Sequence, residues 1–157
     1  MDEYSLAMVV TAKGGIRVTN VPTVFTPMAG GWGKVWFHIA KNNHQNDSMD
    51  GTSETLVVFH GPHGYISPNW CANAATANMV PTWNFSVVHA TGKAKRIDDD
   101  GAFAKNLSKL VAKNEGKYGG GPWEFGKMPD SYLKGMRQGI TQYEMVIDNV
   151  EAKFKLS

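Results

Sequence analysis

Short stretches of alternating apolar and polar positions fill the first hundred residues of the chain, and one helical stripe follows them. Ala7 to Thr11 and Ile16 to Val24 are rich in Val, Ile and Thr and flank Lys13, Gly14 and Gly15, which predicts two strands joined by a tight hairpin. Pro27 to Gly33 is a loop, after which Lys34 to Ile39 alternates Val35, Phe37 and Ile39 against Trp36 and His38 as a third strand. The polar run Lys41 to Glu54 has no such period and reads as a loop with room for one helical turn. Thr55 to His60, β-branched and aromatic, is a strand; Gly61 and Pro62 predict a turn, and Gly64 to Ser67 a short partner strand. Asn69 to Asn78, small and polar, reads as a surface loop before the alternating strand Thr82 to Gly92, which Lys93 to Ile97 extends.

The period then changes. Phe103, Leu107, Leu110 and Val111 form the stripe of an amphipathic helix over Gly101 to Lys117, with Gly119, Gly120 and Gly121 placed to stop it. Pro129 and Asp130 open a shorter helix to about Met136, and Tyr143 to Val150 with Phe154 reads as a final strand or two. Strands gathered first and helices late, about seven and two of them, predict an α+β fold on an antiparallel sheet or barrel. With 157 residues and neither linker nor internal repeat, one domain over residues 1–157 is expected.

Composition excludes several classes. The longest apolar runs, Leu6 to Val10 and Leu56 to Phe59, fall far short of the ~20 residues of a membrane span. Asp2 and Glu3 stand where a signal peptide would be basic, and the single cysteine, Cys71, completes neither a disulfide nor a zinc site, so a cytoplasmic location is expected. A net charge of +2 is too small to drive binding along nucleic acid. Lys105, Lys109, Lys113 and Lys117 follow Asp98, Asp99 and Asp100 along the first helix, an order that complements its dipole and reads as a solvated face.

Serine-elbow, phosphate-loop, zinc-protease and dinucleotide fingerprints are all missing from the sequence. His60 and His63 flank the Gly-Pro pair at a spacing that would present two imidazoles to one ion, but no Asp or Glu joins them, and structural use is the default. Aromatic and amide residues are dense in two stretches, His60 to Trp70 and Val80 to Gly92. Aromatic faces with amide edges suit a flat, largely apolar ligand with a polar rim; core packing is the rival reading. On a strand Trp83 and Asn84 point to opposite faces, so at most one of them serves the core.

In these stretches the chain resembles the PaiB family of FMN-binding proteins, often labelled negative transcriptional regulators and related to the pyridoxamine phosphate oxidases. HIAKNN (His38 to Asn43), FHGPHGYISPNW (Phe59 to Trp70), VPTWNFSVVHATG (Val80 to Gly92) and the terminal EAKFKLS are similar to its elements, in the same order. Cys71 stands where the family commonly has Tyr, and His44 where Pro is common. The resemblance implies a split β-barrel whose homodimer holds one FMN per subunit, with both chains lining each site. It further implies that His38 contacts the cofactor, that Lys41 and Asn43 meet its phosphate, that Tyr65, Ser67, Trp83 and Asn84 wall and rim the ring, and that Lys155 adds a cation.

The competing expectations are a haem enzyme on the same scaffold, with His60, His63 or His89 as axial ligand, and a binding module that has lost its cofactor. No acid–base pair is identifiable, so no catalytic residue is assigned, and any activity would be FMN-dependent oxidoreduction. The two expected helices are too far apart in sequence for a helix-turn-helix, which leaves DNA binding without support.

Overall fold

In the computed structural model, residues 1–73, 78–118 and 125–156 are described. Six strands, β1 (Leu6–Thr11), β2 (Arg17–Thr26), β3 (Lys34–Ala40), β4 (Glu54–Ile66), β5 (Thr82–Ile97) and β6 (Ile140–Lys155), close into an antiparallel barrel in the order β1-β2-β3-β6-β5-β4. Helices α1 (Asp100–Tyr118) and α2 (Asp130–Gln138) connect β5 to β6. This is the split-barrel α+β fold that the resemblance implies. No helix among the described residues is long and apolar enough to cross a membrane.

Alternation fills the barrel. Val9, Val21, Val35, Phe37, Val57, Phe59, Ala90, Tyr143 and Met145 point inward and are almost fully buried, each strand giving its other face to solvent or to α1. The stripe of α1 buries Phe103, Leu107 and Leu110 against Trp36, Val24, Ile97 and Ile140, making a second core outside the barrel wall. Asp99 starts this helix, its carboxylate accepting from the Ala102 N–H at 2.9 Å. Of the lysines along it, Lys113 pairs with Asp2 at 2.7 Å. Gly119 to Gly121, the expected helix stop, lie outside the described residues, as do residues 74–77 of the expected surface loop.

One expectation is corrected. Gly61 and Pro62 do not turn the chain, and the count is six strands instead of about seven. Both flanks of the pair run along the same neighbour, Glu54 to His60 against Lys93 to Val87 and His63 to Ile66 against Phe85 to Thr82, so the Gly-Pro pair is a bulge within β4. Pro62 has no N–H to give the ladder, and a side chain on Gly61 would overlap the Ser86 hydroxyl, so both residues suit the place where two residues face one. The extra residue puts His60 and His63 on the same face, which strict alternation would not.

One end of the barrel is closed by a 3-10 turn, His44–Ser48. Gln45, 1% exposed, sits inside it as a plug: its amide nitrogen donates to Val9 O, Thr11 Oγ1 and Arg17 O, and its oxygen accepts from Thr19 Oγ1. At the other end β1 last pairs with β4 at Phe59, and β3 with β6 at Val146. Beyond these points β4, β5 and β6 continue alone as a three-stranded arm, with no backbone partner on the far edge of β6 from Asp148 onward among the described residues.

Candidate functional site

The arm carries one group of the expected site residues. Register sets Tyr65 opposite Trp83 and His63 opposite Phe85, which in turn faces Lys155, so these five share the arm's outer face. The Trp83 indole stands edge-on to both neighbours, 6.0 Å from the Tyr65 ring and 5.8 Å from His63. Lys155 Nζ donates to Trp83 O at 3.0 Å and to Thr82 Oγ1. Ser67 Oγ accepts from the Asn69 N–H at 3.2 Å and so starts the short turn Pro68–Trp70 at the tip of the arm.

Trp83 and Tyr65 are about half exposed, at 49% and 50%, which rules out plain core packing for Trp83. Asn84 points to the opposite face, as the strand period requires, and there it lines an apolar cleft of about 330 Å³ with Ile66, Phe154 and Leu156. Neither Trp83 nor Asn84 enters the barrel core, because both lie where the arm has left it.

The second group stands at the plugged end. Lys41 is exposed just past β3, with its backbone N–H on Gly139 O at 2.9 Å. Asn43 is engaged by the fold: Oδ1 accepts from the Gln45 N–H at 2.9 Å, and Nδ2 donates to Thr19 Oγ1 at 3.1 Å. Arg17, which the sequence did not single out, donates through Nη1 to His44 O at 2.8 Å and Ser48 Oγ at 2.9 Å. His38 lies on the outer face of β3 beside Trp36, and its Nδ1 is buried without a hydrogen-bond partner.

Burial lowers the His38 pKa below its ordinary value, so the ring is neutral near pH 7. Below about pH 6.5 the unfolded chain takes up a proton that the native ring refuses, so this residue's contribution to stability is complete above that pH and declines as the pH falls. Thermal melts from about pH 7.5 to about pH 5 should therefore show an acid-side loss of at most ~1.4 kcal/mol per pH unit from this group, and His38→Gln should flatten it. An identical pH slope in the variant would remove the assignment.

The two groups do not meet within one chain. His38 faces Gln142 near the start of β6 and Lys155 lies near its end, thirteen residues on, about 40 Å of strand at ~3.3 Å per residue. Between them stretches an uncovered sheet face. Its cross-strand rows read Val18–Val10–Leu56–Thr91 and Asn20–Met8–Val58–His89–Glu151, and neither helix packs on it. His60, His63 and His89 all lie on this face or on its continuation along the arm.

The donor set of the arm, two half-exposed rings with an ammonium beside them and an amide on the reverse face, fits a planar heteroaromatic ring with a polar rim and an anionic tail. Residues 1–149 match the family model described as "Putative FMN-binding domain". The chain is 30% identical over its full length to the protease synthase and sporulation protein PAI 2 of Bacillus subtilis, covering 73% of that protein. It is 32% identical over 129 residues to an uncharacterized protein of Aspergillus fumigatus, covering 72% of this chain and about half (49%) of that relative. Among solved structures, the flavocytochrome Anf3 from Azotobacter vinelandii superimposes with a TM-score of 0.64 at 18% identity, over 98% of this chain and 63% of that one, a likeness of fold. On the family match and the full-length relative, the chain belongs to the PaiB-type family of FMN-binding split-barrel proteins.

Proposed function

We propose that the protein works as a homodimer in which each FMN lies between the arm of one chain and the plugged end of its partner. The observation that carries this reading is the separation of the two residue groups to opposite ends of one strand. A two-fold axis through the uncovered face of β1, β4 and β5 sets each arm against the far end of the other barrel and buries Leu6 and Val18, which are 67% and 51% exposed in the single chain.

In this arrangement Lys41 meets the phosphate as a point charge. Trp83 and Tyr65 cover the ring, while Ser67 and Lys155 supply polar groups at its edges, and Asn84 stays on the reverse face of the arm. Bound FMN would supply electron and hydride transfer; the protein holds and orients it and keeps water from its face. No side chain here is assigned an acid or base role. A regulatory role finds no support in the helices, since α1 gives its apolar stripe to the barrel and α2 leads directly into β6.

Light scattering with simultaneous absorption tests the reading. The expected result is the mass of two chains, with flavin bands and release of FMN as the dimer dissociates on dilution. Lys41→Ala should weaken FMN by about ten- to a hundredfold while sparing riboflavin, the loss of one charge-assisted contact. A monomer that holds FMN would overturn the shared site, and a Soret band in place of flavin bands would turn the assignment to haem on His60, His63 or His89.

A further inference from the structure

We infer that Arg17 is the second cation of the phosphate half of that site, the residue that fixes where the phosphate sits; the inference rests on the shared-site reading above. A phosphomonoester carries close to two negative charges at neutral pH, and an exposed lysine at position 41, a point charge on a long stem, neutralises only part of that and defines its place poorly. Two guanidinium groups stand at this end of the barrel: Arg96, opposite Tyr143, is paired with Asp98 at 3.2 Å, whereas Arg17 has no carboxylate partner among the described residues. Arg17 opens β2 beside Thr19, whose hydroxyl receives Asn43 Nδ2 at 3.1 Å, and its own Nη1 is tied to His44 O and Ser48 Oγ on the turn that Asn43 starts. Arg17, Thr19, Asn43 and the turn therefore form one connected unit, with Lys41 two residues before Asn43.

Three features separate Arg17 from an ordinary surface arginine. Its fork is already held by two neutral acceptors, so little side-chain freedom remains to be lost on binding an anion. No carboxylate among the described residues lies within ion-pair distance of it. The acids of the same corner leave its charge uncancelled: Asp50 is bound to Lys13 at 2.6 Å, an ammonium that together with the Ser53 and Thr52 N–H groups holds its carboxyl well below the usual carboxylate range, and exposed Asp47 makes no ion pair with Arg17. A guanidinium fixed in place without a carboxylate partner, on the turn into which Lys41 leads, matches the tetrahedral acceptor oxygens of a phosphate and not a neutral ribityl end.

The test compares FMN with riboflavin, which differ by that phosphate. Arg17→Gln removes the charge and is too short to keep the bonds to His44 O and Ser48 Oγ, while Arg17→Lys keeps the charge and loses the fork. Calorimetric titration of the dimer should give Arg17→Gln a loss of about ten- to a hundredfold for FMN and less than about twofold for riboflavin, with Arg17→Lys in between. A purely structural arginine would lower both affinities together and depress the melting temperature; that result, or an FMN to riboflavin ratio equal to wild type in both variants, overturns the inference. A wild-type protein that binds FMN no better than riboflavin overturns the phosphate half of the shared site itself, and Arg17 with it.

Discussion

Trp36→Ala should remove about 3 to 5 kcal/mol of folding free energy, read as a lowered urea midpoint with an unchanged slope. Trp36 is 2% exposed and forms the floor under α1, packed with Phe103, Leu107 and Leu110 on the outside of β3. Truncation would empty the largest side chain of that second core. It would also break a relay: Trp36 Nε1 donates to Gln142 Oε1 at 3.0 Å, and Gln142 Nε2 donates to Asp99 O at 2.8 Å, at the start of α1. The completely buried Gln142 oxygen would be left without that donor. Trp36→Phe separates the two effects, since it keeps most of the packing and should cost only about 1 to 3 kcal/mol. A loss below about 1 kcal/mol for the alanine variant would mean that α1 is not anchored through this ring.

Mixing two defective subunits should restore FMN binding. If each site takes Lys41 from one chain and Trp83 from the other, the Lys41→Ala and Trp83→Ala homodimers each bind weakly at both sites. A mixed dimer, however, carries one site with both defects and one with neither. Co-refolding equal amounts should then return about a quarter of the wild-type number of tight sites, since half of the dimers are mixed and one site of each is intact. A site built within one chain would recover none. The experiment is clean because Trp83 is half exposed on the arm, so Trp83→Ala should change apo stability by less than about 1 kcal/mol, far from the cost of emptying a packed core position.

How far the sequence could be read depended on what held each element. The strands that line the barrel and the stripe of α1 were legible because their partners lie in one continuous core, which imposes its period on the chain. The Gly-Pro pair in β4 was misread, since a bulge and a turn use the same residues and only the register on β5 tells them apart. For Trp83 and Asn84 the alternation was correct, yet neither faces the core, because no local signal marks where the arm leaves the barrel. The plug was illegible. Gln45 sits in a polar run without period, and its partners Val9, Thr11, Arg17 and Thr19 are distant in sequence. For the same reason the sequence does not show that both ends of the Asn43 amide are engaged by the fold.

The free edge of the arm carries a consequence for solubility. From Asp148 to Lys155 one side of β6 offers its N–H and C=O groups to any extended chain that approaches, the surface on which proteins aggregate. Asp148, Glu151, Lys153 and Lys155 punctuate Val150, Ala152 and Phe154, so an incoming apolar strand would have to strip water from a charge at nearly every second position. These charges act as gatekeepers: they keep the β-rich tip from templating fibres while leaving its aromatic face bare, a protection that neutral substitutions along β6 would remove without touching the barrel.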